Sequence, residues 1–161
     1  MQHIRFGLSM DSGAGVHFHA AVGSSALGPL GLLNVLETHL GLLRVPISQS
    51  ERVVQMRRFY VRSFEADELG SAATLLGWRD LWFEHGWSGT LAAGAGASAG
   101  TRLADMVAVE ALASSAVTPG LGQRLADVAS ALQHRRPQIE RIELIDPLAD
   151  FPLAWRKVLN H

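Results

Sequence analysis

Residues 23–30 read Gly23-Ser24-Ser25-Ala26-Leu27-Gly28-Pro29-Leu30, and the fold turns on whether this stretch cradles a phosphate or merely starts a helix. The two glycines have the spacing of a P-loop, whose backbone amides wrap phosphates at a helix N-terminus. Pro29 and Leu30 stand where that motif carries lysine and then serine or threonine. The lysine reaches the β- and γ-phosphates and the hydroxyl holds magnesium, so proline and leucine leave neither charge nor metal ligand. No ATP hydrolysis is expected from such a loop. Two readings stay open: a degenerate phosphate loop at Gly23, Gly28, Pro29 and Leu30, or an ordinary strand-to-helix turn.

Working outward, Pro29 suits the first position of a helix, and Leu33, Leu36 and Leu40 form its apolar stripe before Gly41 supplies a left-handed cap. Upstream, residues 3–10 read as a first strand, Asp11-Ser12-Gly13-Ala14-Gly15 as a turn, and a second extended piece falls within Val16 to Leu27. Downstream, Ser48-Gln49-Ser50-Glu51 is a capping box opening a helix over about 49–64, with Val53, Met56, Tyr60 and Phe64 on one face. Asp67 can cap a third helix ending near Gly86. That helix carries two apolar stripes, Leu69, Ala73, Leu76 and Phe83 on one and Leu75, Trp78 and Trp82 on the other, so a central position is expected. Residues 88–100 are a small-residue tract that reads as a flexible loop. Thr101 opens a fourth helix, and Thr118 with Pro119 a fifth that carries Leu121, Leu125, Val128 and Leu132. Gln138 to Asp146 alternates as a strand, Pro147 stops it, and Phe151, Trp155 and Leu159 mark a last short helix.

Helices separate the early strand from the late one, which favours parallel pairing because parallel neighbours need a long crossover. The expected fold is therefore α/β: a helix-rich single domain with five or six helices around a small, mainly parallel sheet. Such a sheet has edges that invite association, so the chain reads as part of a larger polypeptide.

Composition narrows the function. The 161 residues, 48% apolar and 18% charged, can bury roughly two thirds of their unfolded surface. Fourteen basic residues face fifteen acidic ones, so the overall charge of −1 draws the chain neither to nucleic acid nor to an anionic membrane. The absence of cysteine excludes disulfides, thiol nucleophiles and zinc–cysteine sites and fits a reducing cytoplasm. No run approaches the roughly 18 apolar residues of a membrane span, and no signal peptide is evident. Cytoplasmic localisation without membrane partners is the expectation.

Several groupings could carry chemistry. His17 and His19 share a strand face at metal-ligand spacing, but two ligands are too few for catalytic zinc, and a solvent-facing edge is the alternative. Ser12 lies outside any nucleophile-elbow pattern. Trp78, Arg79, Asp80, Trp82 and Trp87 interleave aromatics and charge as a base-stacking surface does, although core packing, with Arg79 and Asp80 paired to each other or to a neighbour, accounts for them more simply. Arg135 and Arg136, after Gln133-His134, are the candidate nucleic-acid contacts and also suit a helix C-terminus. Asp146 ends the last strand, where open α/β sheets place ligand groups or cap a turn. No cofactor, metal or catalytic residue is assigned.

Longer stretches resemble one family. They are Ile4-Arg5-Phe6-Gly7-Leu8, Gly28-Pro29-Leu30-Gly31-Leu32-Leu33, Leu36-Glu37-Thr38-His39-Leu40-Gly41-Leu42 and Ser50-Glu51-Arg52-Val53. To these add Ser63-Phe64-Glu65-Ala66-Asp67, Trp78-Arg79-Asp80 with Gly86-Trp87, and Arg136-Pro137-Gln138-Ile139 with Leu144-Ile145-Asp146-Pro147-Leu148. Together they resemble the N-terminal region of large bacterial proteins of the PD-(D/E)XK nuclease family with an inactivated superfamily I helicase portion, similar to the AddB-type subunit of helicase–nucleases. The resemblance implies a helicase-like first domain without ATP chemistry, scaffolding DNA or a partner helicase subunit during DNA repair. The nuclease residues of that family lie in a separate downstream domain, and no Pro-Asp followed by Asp/Glu-x-Lys occurs here. A stand-alone helical interaction module and a small enzyme with an unrecognised site are the other readings.

Overall fold

Alternation in Gln2–Phe6 sends Ile4 and Phe6 to one face of a strand, where both are fully buried, and His3 and Arg5 to the other. This is β1 of a computed structural model that describes residues 2–12, 24–59, 68–91 and 101–161. Ser24–Leu27 forms β2 and Ile139–Leu144 forms β3, and both pair parallel to β1 in the order β2-β1-β3. Among the described residues six helices accompany the sheet: α1 (Pro29–Leu40), α2 (Gln49–Arg57), α3 (Glu68–Glu84), α4 (Arg102–Ala113), α5 (Leu121–Leu132) and α6 (Leu153–Leu159). The fold is thus helix-rich α/β with a small parallel sheet, as the long crossovers require.

Backbone contacts fall into two compact units, Met1–Arg44 with Arg124–His161, and Val45–Gln123. In the first, Phe6 packs its ring against Phe151 at 5.1 Å and Trp155 at 4.7 Å, so the C-terminal segment covers the buried face of β1. Helix α1 begins with Pro29 and buries Leu32, Leu33, Leu36 and Leu40. It ends at Gly41, whose φ of 71° suits glycine, with the Leu42 amide returning to the Glu37 carbonyl at 2.8 Å. The first strand stops at Phe6, four residues before the expected end. The Asp146 carboxylate accepts the Leu8 amide at 2.7 Å, and Met10–Ser12 then wind into a 3-10 turn.

The second unit has its own core of Met56, Ala72, Leu75, Leu76, Met106, Ala113 and Val117, with Trp82 and Trp87 packed against it. The capping box is formed: the Glu51 amide donates to the Ser48 hydroxyl at 3.2 Å and the Ser48 amide to the Glu51 carboxylate at 2.7 Å. Helix α2 ends at Arg57 rather than 64, and Tyr60 to Phe64, like Asp67, lie outside the described residues. Thr101 caps α4 as expected, accepting from the Ala104 amide at 3.2 Å. Thr118 does not cap α5. Its amide is held by the Gln55 side chain at 2.8 Å and its carbonyl by Arg52 at 3.0 Å, so the helix starts only after Gly120. Helix α3 is not enclosed: Ala72, Leu75, Leu76 and Arg79 are buried while Leu69, Trp78 and Leu81 face outward.

Candidate functional site

The carboxyl ends of parallel strands are where α/β proteins bind ligands, because loops and helix N-termini converge there. Here Gly7 and Ile145 continue the ladder, donating to the carbonyls of Leu27 at 3.2 Å and Phe6 at 2.8 Å. Gly7 is tightly enclosed, since a Cβ there would lie 3.1 Å from Met10 Cγ and 3.3 Å from an Asp146 carboxylate oxygen. Asp146 therefore caps the turn after β1, a neighbour's turn rather than its own.

The four residues between the two glycines of the phosphate-loop pattern are β2, and Gly28 alone turns the chain from β2 into α1. Gly23 lies outside the described residues; Gly28, Pro29 and Leu30 form the strand-to-helix turn, the second of the two sequence readings. Gly28 contributes no side-chain cap, and Pro29 has no amide proton to offer. Ahead of the first helical bond, from the Leu32 amide to the Gly28 carbonyl, stand the Leu30 and Gly31 amides, and that of Leu30 donates to the Asp11 carboxylate at 2.6 Å. A Cβ on Gly28 would fall 2.3 Å from both the Asp11 amide nitrogen and an Asp11 carboxylate oxygen, so only glycine admits this approach. A fixed carboxylate thus occupies the anion seat at the start of α1, where the helix dipole favours negative charge. An incoming phosphate would meet a like charge there. Sequence inspection did not single out Asp11; the signal available was a helix start with glycine at the cap position and an unassigned Asp-Ser-Gly turn upstream.

The aromatic and basic candidates separate. Arg79 is fully buried and grips Glu110 with two bonds, Nε to Oε2 at 2.5 Å and Nη2 to Oε1 at 2.8 Å, beneath the Phe83 ring at 5.2 Å. Asp80 accepts both terminal nitrogens of Arg52 at 2.6 Å. Trp82 and Trp87 meet edge to face with centroids 5.3 Å apart. These residues are core, as the simpler reading held, and Glu110 and Arg52 are partners that helical spacing alone did not reveal. Trp78 is 39% exposed, with the Arg102 guanidinium 5.4 Å from its ring. Arg135 donates to the Leu40 carbonyl at 2.6 Å, closing the C-terminus of α1, and both Arg135 and Arg136 are exposed. His17 and His19 lie outside the described residues, and Ser12 closes the 3-10 turn.

Two acidic groups depart from their ordinary values. Glu51 is held low by the Ser48 backbone amide and then by the Ser48 hydroxyl. Glu84 is pushed up by burial, with the negative charge of Asp80 adding to it. Among the described residues no three His, Cys, Asp or Glu side chains gather to hold a metal, and no helix is long and apolar enough to cross a membrane. Comparison of the chain with protein-family models, with curated proteins and with solved structures gives no match.

Proposed function

We propose that this chain is a non-catalytic, helicase-like N-terminal scaffold domain of a cytoplasmic DNA-repair protein of the helicase–nuclease kind, positioning DNA or a partner subunit for activities carried by the rest of the polypeptide. The observation that carries this reading is the 2.6 Å bond from the Leu30 amide to the Asp11 carboxylate. It supports a helix start that is structural, because a helix N-terminus already neutralised by the chain's own carboxylate has little left to offer a phosphate. The direct test is magnesium-dependent release of inorganic phosphate from ATP by the purified polypeptide, with and without DNA. The expected result is none. Release that disappears when residues 28–30 are altered would overturn the reading.

The engagement of Arg135 with the Leu40 carbonyl favours the second reading, a protein-interaction module without a nucleic-acid role, because it commits one of the two arginines suggested for DNA. Affinity for duplex or single-stranded DNA that falls steeply with salt would support the DNA scaffold, since phosphate contacts release counterions. No binding at low salt leaves the interaction module.

A further inference from the structure

We propose that the stretch Leu42–Ser48 is a strap, and that Glu37 is the latch that holds it together with the start of α5. The chain leaves the first unit after Arg44 and returns to it at Arg124. Both arginines end on one carboxylate. Arg124 donates Nε to Glu37 Oε1 at 2.9 Å and Nη2 to Oε2 at 2.6 Å, with Asn34 Oδ1 as a further acceptor at 2.9 Å. Arg44 Nε lies 3.6 Å from Glu37 Oε1, and its Nη2 pairs with Asp127.

The strap is tied at its two ends, by the Leu42 amide to the Glu37 carbonyl and by Ser48 in the capping box, and between them Arg44 does the holding. Residues 42–48 carry neither helix nor strand, and among the described residues no backbone hydrogen bond ties Leu43, Arg44, Val45 or Ile47 to the rest of the chain. The side chains beside Arg44 gain no packing either, for Leu43 is 79% and Val45 86% exposed. Of the two carboxylates that Arg44 meets, the Asp127 side chain is 52% exposed and the Glu37 side chain only 7%, so water screens the first pair and spares the second. Loss of the Glu37 charge leaves Arg44 and Arg124 repelling each other around a neutral residue. One change therefore frees the outgoing strap and loosens the returning helix together.

Limited trypsin digestion reads the strap at the Arg44–Val45 bond, and amide hydrogen exchange followed by mass spectrometry reads residues 121–128. In Glu37→Gln, cleavage after Arg44 rises about tenfold and exchange at the start of α5 rises with it, because both track the open population. In Asp127→Asn, cleavage rises by about twofold or less and α5 exchange stays at the wild-type rate. Equal rates for Glu37→Gln and wild type, or an Asp127→Asn variant cleaved as fast as Glu37→Gln, would overturn the latch. Should Glu37→Gln fail to fold by circular dichroism, Arg44→Lys serves, since trypsin still cuts after lysine. A lysine has no counterpart of the guanidinium Nε that faces Glu37, so cleavage faster than in Asp127→Asn supports the latch and cleavage at the wild-type rate contradicts it.

Discussion

The Arg79–Glu110 pair of the second unit and the Asp11–Leu30 contact of the first both satisfy a charge, yet they differ in what depends on them. Arg79 is sealed from water, and its remaining nitrogen, Nη1, has no partner among the described residues. Asp11 is exposed, and its carboxylate spans 19 residues to reach one amide. Energetic weight lies in the buried pair. The exposed contact instead sets a carboxylate at the start of α1, where a phosphate loop would hold its anion. A chain of this kind can tolerate losing the second with little cost in stability, whereas losing half of the first leaves an uncompensated charge in a core.

The largest expected effect sharpens that contrast. Glu110→Ala strands the Arg79 guanidinium and should cost about 3–5 kcal/mol in denaturant unfolding, enough to threaten folding at ordinary temperature. The double variant Arg79→Met with Glu110→Leu removes both charges and should recover most of the loss. A double variant as unstable as the single one would show that the pair is needed as a pair.

Asp11→Ala should cost about 1 kcal/mol, the ordinary value of a lost N-cap, measured by the same unfolding experiment. A loss comparable to that of Glu110→Ala would erase the distinction drawn between the two regions. The smallest effect comes from Glu84. Its carboxyl is raised by burial and by Asp80, so the folded state binds its proton more tightly than the unfolded chain does. Folding is then favoured below the ordinary glutamate value and loses that contribution as pH rises through the folded one. Glu84→Gln should raise the midpoint of thermal unfolding at pH 7 and lose that advantage near pH 4. An advantage that persists at pH 4 would mean that burial of the charge is not its source.

What could be read from the chain was what neighbours within a few residues decide. Pro29 and Gly41 bracket α1, Ser48 and Glu51 build their box, and Thr101 caps α4, each within a span of four residues or one helix. Parallel pairing of β1 with β3 followed from the length of chain between them. The site depends on contacts that cross the chain, Asp146 reaching Leu8 over 138 residues and Asp11 reaching Leu30 over 19. No periodicity encodes such contacts. The start of α5 was misplaced for the same reason, because Gln55 and Arg52, 63 and 66 residues upstream, hold Thr118 away from the helix. The outward face of α3 was misjudged because two apolar stripes imply burial only when something packs on both.

The measurement closest to the centre of this account is the amide resonance of Leu30, compared by nuclear magnetic resonance between wild type and the Asp11 variants and then followed during a titration with inorganic phosphate and MgATP. A carboxylate bonded to that amide predicts a downfield resonance that moves upfield in Asp11→Ala and ignores both phosphate species at neutral pH. A Leu30 amide that is indifferent to Asp11→Asn but shifts on addition of MgATP would contradict it.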